Sequence, residues 1–246
     1  MNVLRIEHLH RSFGSLVVTD DLSLTVAQGE RHVIIGPNGA GKTSLVNQIG
    51  GQLEPGSGLI FLKENDITGW PPHRISRMGI ARTFQRNNLF HNLSVIENLR
   101  LAVQIRRGNP LNFFRPMDRQ AGLVERAREL MRQVHLGDDG ERIAGKLSYG
   151  EQRQLEIGIA LAGEPELMLL DEPTSGMSPA ETSRMIELIA SLPRSLSILM
   201  IEHDMRVVFS VADRITVLYY GKVLATGMPS EIQANSRVRE VYLGMH

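Results

Sequence analysis

A glycine-rich segment near the N-terminus is the feature that most constrains the fold of this chain. It has the pattern of a phosphate-binding loop, in which a glycine and four further residues precede glycine, lysine and a hydroxyl residue. The residues that fit this pattern are, in order, Gly36, Pro37, Asn38, Gly39, Ala40, Gly41, Lys42 and Thr43. Glycines allow the backbone to curl tightly and to direct its N–H groups at an anion. The segment therefore predicts an α/β fold with a phosphate site between a buried strand and a helix.

The residue types of this segment predict specific contacts with a nucleoside triphosphate. We expect Lys42 to reach the β- and γ-phosphates and the Thr43 hydroxyl to bind Mg²⁺, with Ser44 in the same first helical turn. The helix that follows would direct its positive N-terminus at the phosphates. An ordinary glycine turn is the alternative interpretation, but the apolar run at residues 32–35 and the candidate helix after the loop match the required context.

A second apolar run, at residues 167–170, ends in two carboxylates, Asp171 and Glu172. At the tip of a buried strand, Asp171 is placed to hold the water shell of Mg²⁺. Glu172 is placed to polarise a water directed at the γ-phosphorus, which is a general-base role. Carboxylates at strand ends are commonly only solvated, but the phosphate-binding loop upstream favours the catalytic interpretation.

The pattern of apolar residues divides the chain into a mixed core and a helical insertion. Short β-rich or apolar segments predict strands at residues 3–6, 16–18, 22–26, 32–35, 167–170, 198–201 and 215–220. Several of them lack alternation, as is typical of strands buried on both faces of a parallel sheet. A helical face in the middle of the chain contains Leu123, Ala127, Leu130, Met131 and Val134. We therefore expect one domain with a core at residues 1–88 and 164–230, a helical subdomain at 89–163, a tail at 231–246, and a loop at 107–119.

Three Ser-x-x-Glu capping boxes predict helix starts at Ser94, Ser148 and Ser178. The box at Ser148 opens an apolar helix, and a bare helix start is its simplest interpretation. A chain with one phosphate-binding loop and a separate anion-attracting helix start also favours a head-to-tail pair, in which each helix faces the other subunit's nucleotide. The residues proposed for this contact in trans are Ser148, Tyr149, Gly150, Glu151 and Gln152.

Composition excludes several classes of function. The chain has 246 residues with 27 Lys plus Arg against 27 Asp plus Glu, so there is no cationic excess to displace counterions from nucleic acid. It has no cysteine, which excludes disulfides and thiolate metal sites. No run approaches the roughly 20 apolar residues of a membrane-spanning helix, and the first residues do not form a secretory signal. We therefore expect a cytoplasmic protein that reaches a membrane only through a partner.

Taken in order, these motifs resemble the ATP-binding subunits of ABC transporters, with residues 147–152 in the place of that family's signature motif. The resemblance covers nearly the whole chain and implies an α/β P-loop NTPase fold with a RecA-like core, an N-terminal antiparallel β part and an inserted helical subdomain. It implies that Phe13 stacks on adenine, that Gln85 joins the Mg²⁺ site to a membrane subunit, and that His203 contacts the γ-phosphate. Two residues depart from the family pattern, because Tyr149 replaces a glycine and Ser178 replaces an aspartate.

Four local segments and one insertion narrow the resemblance to the uptake subfamily for branched-chain amino acids. They are residues 79–85, 93–99, the tyrosine-bearing signature, 241–244, and the inserted loop at 109–117. This resemblance implies ATP and Mg²⁺ as cofactors, a second ATP-binding subunit, identical or different, and two transmembrane permease subunits. A periplasmic solute-binding protein would act indirectly, and the chain would lie peripherally on the inner face of the cell membrane.

Alternatives within and outside the transporter class remain open at this point. Related ABC systems take up urea or other small solutes or export lipopolysaccharide. A soluble ABC ATPase that acts on ribosomes or DNA is disfavoured, because the chain has one phosphate-binding loop, no heptad run and no basic surplus. A non-hydrolysing regulatory subunit is disfavoured by the presence of Glu172 and His203.

Overall fold

A computed structural model describes residues 1–83, 89–107 and 121–243 of the chain. The chain separates into two compact units. The first, here called the sheet unit, comprises residues 1–82, 166–172 and 193–246, and the second, the helical unit, comprises residues 83–165 and 173–192. Residues 173–192, which the sequence assigns to the core, thus group with the helical unit. Gln85 and nearly all of the predicted loop at 107–119 lie outside the described residues.

Strands and helices are interspersed along the chain. The strands are β1 (Asn2–Phe13), β2 (Leu16–Ala27), β3 (Arg31–Ile35), β4 (Ser57–Leu62), β5 (Asn65–Asp66), β6 (Ile80–Arg82), β7 (Leu167–Asp171), β8 (Ser197–Ile201), β9 (Arg214–Tyr219) and β10 (Lys222–Gly227). The helices are α1 (Lys42–Ile49), α2 (Pro72–Arg77), α3 (Val95–Arg107), α4 (Ala121–Gln133), α5 (Tyr149–Ala162), α6 (Pro179–Ser191), α7 (Met205–Val211), α8 (Pro229–Ala234) and α9 (Ser236–Val238).

An antiparallel sheet in the order β2-β1-β4-β5 forms the first part of the sheet unit. Its two long strands each span 12 residues, so the three short segments predicted at residues 3–6, 16–18 and 22–26 belong to only two strands. The register of β1 against β2 shifts several times. His8 and Asp21 have positive φ angles of 50° and 52° at these irregularities. Such bulges interrupt the alternation of apolar and polar residues from which strand length is predicted.

The second sheet of this unit has the order β10-β9-β3-β8-β7-β6. The pairs β9–β3, β3–β8, β8–β7 and β7–β6 are parallel, and β10 joins the edge antiparallel to β9. Every residue of β3, β7 and β8 is buried, in agreement with their unbroken apolar runs. Because these three strands are neighbours and parallel, the segments that follow Ile35, Asp171 and Ile201 meet at one edge of the sheet.

The helical unit consists mainly of α3, α4, α5 and α6. Four of the five residues of the predicted helical face are buried, namely Ala127, Leu130 and Met131 of α4 and the adjacent Val134, and Leu123 is half-buried. Ser148 and Ser178 both form complete capping boxes, and Pro179 occupies the first turn of α6. At the start of α3, the Glu97 N–H donates to Ser94 Oγ at 3.4 Å. The capping boxes therefore locate the starts of α3, α5 and α6 correctly.

The predicted tail contains short elements. Residues 231–246 include most of α8, all of α9 and a π-helical turn at Arg239–Leu243, with Ile232 and Val238 buried. Within the described residues, none of the helices has both the length and the apolar character needed to cross a membrane.

Candidate functional site

The glycine-rich loop leaves β3 and enters α1 through backbone conformations that favour glycine. Gly41, at the N-cap of α1, has a φ of 99°, and a Cβ atom built there would lie 2.1 Å from the Val18 carbonyl oxygen. A Cβ at Gly36 would lie 2.3 Å from the carbonyl oxygen of Leu218. Contacts this close exclude any side chain. The loop is therefore wrapped tightly between β2 and the end of β9.

The start of α1 is formed by backbone, with Gly41 at its N-cap. Of the described residues, none caps this helix through its side chain, and its first turn contains no acidic residue. The first N–H groups of a helix have no acceptor within the helix itself. Together with the helix dipole, they make this N-terminus suited to an anion.

The Lys42 ammonium group lies over the loop. Its Nζ donates to the carbonyl oxygens of Gly36 at 2.6 Å and Pro37 at 3.0 Å. Burial lowers the pKa of Lys42, and the nearby carboxylates of Glu172 and Asp171 partly oppose this shift. The lysine is thus a buried cation held beside the turn, while the Thr43 side chain is exposed and Ser44 is half-buried.

Asp171, at the end of β7, is a buried carboxylate whose two oxygens differ in their contacts. It is 3% exposed, and its Oδ2 accepts from Arg82 Nη2 at 3.3 Å, whereas Oδ1 has no hydrogen-bond partner among the described residues. Burial raises the pKa of Asp171, as does Glu172, while Arg82 and Lys42 act in the opposite direction. Buried carboxylate oxygens are rarely left unpaired in native structures. The free oxygen therefore indicates a site for a hydrated ligand or a cation.

Arg82 connects the Asp171 carboxylate to α1, the helix that follows the glycine-rich loop. Its Nη1 donates to Asn47 Oδ1 of α1 at 2.7 Å and to Gln52 Oε1 at 2.8 Å. The sequence did not predict this role. The contact depends on the parallel pairing of β6 with β7, in which Arg82 lies opposite Leu169, and no sequence pattern specifies that register.

Glu172 follows Asp171 in a strained backbone conformation, with a φ of 48°. A positive φ in a residue other than glycine costs of order 1–3 kcal/mol and is concentrated at functional sites. The conformation is held by a hydrogen bond from the Glu172 N–H to the Ile201 carbonyl oxygen at 3.0 Å. Its Oε1 lies 3.9 Å from Nδ1 of His203, whose side chain is 58% exposed.

The segment that carries His203 is anchored by a buried carboxylate. Glu202 is fully buried, and its Oε2 accepts from the N–H groups of His203 at 2.9 Å and Asp204 at 3.3 Å. Asp204 in turn caps α7 by accepting from the Arg206 N–H. His203 is therefore exposed on a fixed backbone, beside the Glu172 carboxylate.

Phe13 is exposed at the end of β1. It is 51% exposed, and the Arg11 guanidinium lies 5.0 Å from the centre of its ring. The β1–β2 hairpin also approaches the glycine loop, because the Val18 carbonyl oxygen lies against Gly41. Phe13 is thus an aromatic surface on the hairpin that borders the loop.

The residues proposed for contact in trans lie together at the start of α5. Ser148 Oγ accepts from the Glu151 N–H at 3.3 Å, and Glu151 Oε2 accepts from the Ser148 N–H at 2.9 Å. Arg142 holds Glu151 through a 2.5 Å contact and lowers its pKa, although burial acts against this shift. Gln152 Nε2 donates to the Leu147 carbonyl oxygen at 3.1 Å. The turn is therefore well ordered by its own side chains.

Tyr149, the bulky departure from the family pattern, is held beside this turn. It is 39% exposed, and its hydroxyl accepts from Arg153 Nη2 at 3.0 Å. The same guanidinium lies 5.3 Å from the tyrosine ring centre. The tyrosine side chain is thus held by Arg153, a residue of the same helix. The next N–H group of α5, that of Gly150, donates to Glu181 Oε1 at 3.0 Å.

Comparison with protein families identifies this arrangement. Residues 19–175, which contain the glycine-rich loop and both Asp171 and Glu172, match the family model described as ABC transporter. The chain belongs to the ABC transporter family. Residues 222–244 of this ABC cassette also match a second model, described as branched-chain amino acid ATP-binding cassette transporter. The resemblance stated from the motifs is confirmed.

Similar proteins and structures extend over almost the entire cassette. It is 40% identical to the high-affinity branched-chain amino acid transport ATP-binding protein LivG of Salmonella typhimurium, with 98% of each chain covered. It is 36% identical to the lipopolysaccharide export system ATP-binding protein LptB of Acidithiobacillus ferridurans, over 98% of the cassette and 97% of LptB. A crystal structure of the ADP conformation of an ABC-transporter ATP-binding cassette superimposes with a TM-score of 0.87 at 31% identity, covering 100% of both chains.

These similarities confirm the predicted fold class and the biochemical class of the protein. The α/β P-loop NTPase fold is that of ABC cassettes. The chain is the nucleotide-binding ATPase subunit of an ABC transporter.

Proposed function

We propose that this ATPase subunit energises the uptake of branched-chain, hydrophobic amino acids. The match of residues 222–244 to the branched-chain amino acid cassette model carries this proposal. The similarity to LivG over 98% of both chains supports it. Lipopolysaccharide export is the second candidate, because the similarity to LptB is nearly as extensive at 36% identity. The C-terminal match favours amino-acid uptake between the two.

We propose that the glycine loop and the start of α1 bind the triphosphate of ATP. The loop comprises Gly36, Pro37, Asn38, Gly39, Ala40, Gly41, Lys42, Thr43 and Ser44. The loop's backbone N–H groups and the uncapped helix start would meet the phosphate oxygens. Lys42 would exchange its two carbonyl acceptors for phosphate oxygens, so a cation is already in place. Phe13, exposed on the adjacent hairpin, would stack on the adenine ring.

The residues around Asp171 fit a magnesium ion. Mg²⁺ prefers oxygen ligands and keeps several waters when it binds with nucleotide phosphates. Among the described residues no cluster of three or more acidic, histidine or cysteine side chains could hold a metal alone. Thr43 and Gln85 would hold the ion directly, and Asp171 would act through water by Oδ1, which has no partner in the part of the chain that the structure describes. When bound, the ion neutralises charge on the β- and γ-phosphates.

Hydrolysis is assigned to the residues that follow β7 and β8. Glu172 would orient and polarise the attacking water, and its strained backbone fixes the carboxylate at the strand end. His203, 3.9 Å from that carboxylate, would contact the γ-phosphate and report its presence. No step uses Arg82, which holds the other oxygen of Asp171.

The proposed assembly contains two ATP-binding subunits, identical or different, in head-to-tail contact. The start of α5, with Ser148, Tyr149, Gly150, Glu151 and Gln152, would close on the partner's nucleotide. Closure of the two ATP-binding subunits would be transmitted to two transmembrane permease subunits through the surface near Gln85. A periplasmic solute-binding protein would deliver the transported solute to the permease subunits. The subunit would lie on the cytoplasmic face of the cell membrane. The balanced charge of the chain argues against a nucleic-acid partner.

A substitution of the proposed base tests the ATPase assignment. Glu172→Gln should keep ATP binding and slow steady-state hydrolysis by roughly 10²–10⁴-fold, the scale of general acid–base catalysis. Glu54→Gln, the same change at an exposed position of the sheet unit, is the control and should leave both unchanged. Near-normal hydrolysis by the Glu172 variant would refute the role of that residue.

A reconstituted transporter tests the cargo. The subunit, purified with its co-expressed membrane subunits and placed in proteoliposomes, should hydrolyse ATP faster when the solute-binding protein carries leucine, isoleucine or valine. Urea should give no stimulation. Stimulation by lipopolysaccharide alone, or by none of the amino acids, would contradict the uptake proposal.

A further inference from the structure

Glu181 places one carboxylate at the starts of two helices in the helical unit. Its Oε2 accepts from the N–H of Ser178 at 3.1 Å and from the Ser178 hydroxyl at 2.8 Å, which completes the capping box of α6. Its Oε1 accepts from the Gly150 N–H at 3.0 Å, in the first turn of α5. A single side chain therefore ties the start of α5 to the start of its own helix.

The Gly150 N–H is a group that the helix cannot satisfy internally. The first amide groups of a helix lack intrahelical acceptors and need a side chain, water or ligand. Hydrogen bonds from the Ser178 hydroxyl and N–H, followed by that from the Gly150 N–H, lower the pKa of Glu181 to about 2, and Ser148 adds a smaller effect. In this chain, an anion of the protein itself thus already occupies the position at which α5 attracts negative charge.

We propose that Glu181 is an internal place-holder for the γ-phosphate of the partner subunit's ATP. The proposal rests on the proposed function, in which Ser148 and Gly150 contact that phosphate in trans. Glu181 keeps the Gly150 N–H satisfied and ties the start of α5 to the start of α6 while the pocket is open. Its carboxylate has to leave Gly150 when the two subunits close around the nucleotide.

The Glu181 carboxylate and the γ-phosphate compete for the Gly150 N–H, and this competition is the physical basis of the exchange. The Gly150 N–H donates to Oε1 of Glu181 at a normal hydrogen-bond length. A phosphate oxygen can accept the same hydrogen bond only after Oε1 has moved away. Two anions held within hydrogen-bond reach of one turn also repel each other. A carboxylate that remained in place would oppose closure of the sandwich.

Arg184 is placed to pair with the Glu181 carboxylate after it leaves Gly150. Arg184 lies three residues after Glu181 on α6 and lines the same cleft as Ser148, Gly150 and Glu181. Acidic and basic side chains three residues apart on a helix are neighbours. Glu181 can therefore turn toward Arg184 while α6 stays in place, which makes the exchange a rotation of one side chain.

Amide hydrogen exchange of the isolated chain tests the contact itself. Gly150 should exchange at least roughly threefold faster in Glu181→Gln and in Glu181→Ala, because its acceptor is weakened or removed. Glu187→Gln, the same change at an exposed position of α6, is the control and should leave Gly150 unchanged. Unaltered exchange of Gly150 in both Glu181 variants would overturn the proposal.

ATP-dependent closure tests the exchange. The Glu172→Gln subunit, alone and in the co-purified transporter, is titrated with ATP while fluorescence energy transfer or sedimentation reports closure. Adding Glu181→Gln should lower the ATP concentration for half-closure about fivefold, the size of one exposed charge interaction, and adding Glu187→Gln should not change it. Closure that is unchanged or weakened by Glu181→Gln, yet impaired by Ser148→Ala, would overturn the place-holder alone. Absence of any ATP-dependent closure that Ser148→Ala impairs would overturn the proposed trans contact as well.

Discussion

The starts of α1 and α5 are two helix N-termini with opposite local chemistry. Helix α1 begins at a glycine N-cap, and among the described residues it has no side-chain cap and no acidic residue in its first turn. Helix α5 begins at Ser148 with a complete capping box, and a second carboxylate from Glu181 binds its Gly150 N–H. The first is formed by backbone and left open, whereas the second is closed by side chains of its own unit.

The difference shows that a helix dipole alone does not make two equivalent anion sites. At α1 the N–H groups are ready for a ligand, and a buried lysine adds charge. At α5 the donors are already satisfied, so a ligand must replace a protein group rather than water. The open site is suited to binding within one subunit, and the closed one to a contact that forms only when a second subunit brings the phosphate.

The largest effect is expected from adding a side chain at the open N-terminus. Gly41→Ala should destabilise the sheet unit by about 3 kcal/mol, because it combines left-handed strain with overpacking against the Val18 carbonyl. Gly39→Ala is the matched variant: its φ is 80°, but nothing lies within 4 Å of a built Cβ. It should lose only about 1 kcal/mol. Urea unfolding distinguishes them, and equal losses would show that close packing at Gly41 is unimportant.

The next effect concerns the cation at the open N-terminus. Lys42→Ala should weaken ATP binding by the isolated subunit roughly 10- to 100-fold, the size of a charge-assisted hydrogen bond. Lys63→Ala, which removes a surface lysine paired with Glu166, is the control and should bind normally. A filter-binding or calorimetric titration measures both. Unchanged affinity of the Lys42 variant would mean that α1 does not bind the phosphates.

A cap substitution tests whether the closed N-terminus has a function besides capping. Ser148→Ala and Ser94→Ala each remove the serine at a helix start and should each destabilise the chain by about 1 kcal/mol. Only Ser148→Ala should also reduce steady-state hydrolysis, roughly 10-fold, while ATP binding by the monomer stays normal. If both variants lost hydrolysis equally, the effect would come from stability and the trans contact would lose its support.

The smallest effect is a pH dependence of stability at Glu181. Its pKa is lowered from 4.5 to about 2, so the ionised form stabilises the folded state fully above pH 4.5. This contribution is lost progressively as the pH falls from 4.5 toward about 2. The Tm of the native chain should exceed that of Glu181→Gln by roughly 1–2 °C at pH 7, and the gap should narrow below pH 4.5. Glu187→Gln supplies the background, and a gap that widened in acid would contradict the sign.

Sequence patterns predicted the parts of the molecule that depend on neighbouring residues in the chain. The phosphate-loop motif and the capping boxes at Ser148 and Ser178 are local, and their geometry follows from a few consecutive residues. The runs in β7 and β8 were recognisable because burial on both faces removes alternation. The β1 and β2 strands were underestimated because bulges near His8 and Asp21 interrupt that alternation.

The contacts that sequence patterns did not predict join segments far apart in the chain. Arg82 reaches Asp171 only because β6 pairs with β7 in one register. Glu181 was recognised as a capping residue, but its bond to Gly150 depends on how α5 and α6 pack. The roles assigned to Gln85, which lies outside the described residues, and to the other site residues stay predictions for the experiments above.

The guanidinium of Arg82 ties together four positions that are scattered through the chain. Its donors are shared among Asn47, Gln52 and Asp171, so replacing any one of these removes an acceptor from Arg82, and replacing Arg82 removes a donor from all three. Lysine has no planar fork and cannot serve three acceptors in this geometry. The effects of substitutions at these four residues on the free energy of unfolding should therefore be non-additive. During evolution the four residues should change together rather than one at a time.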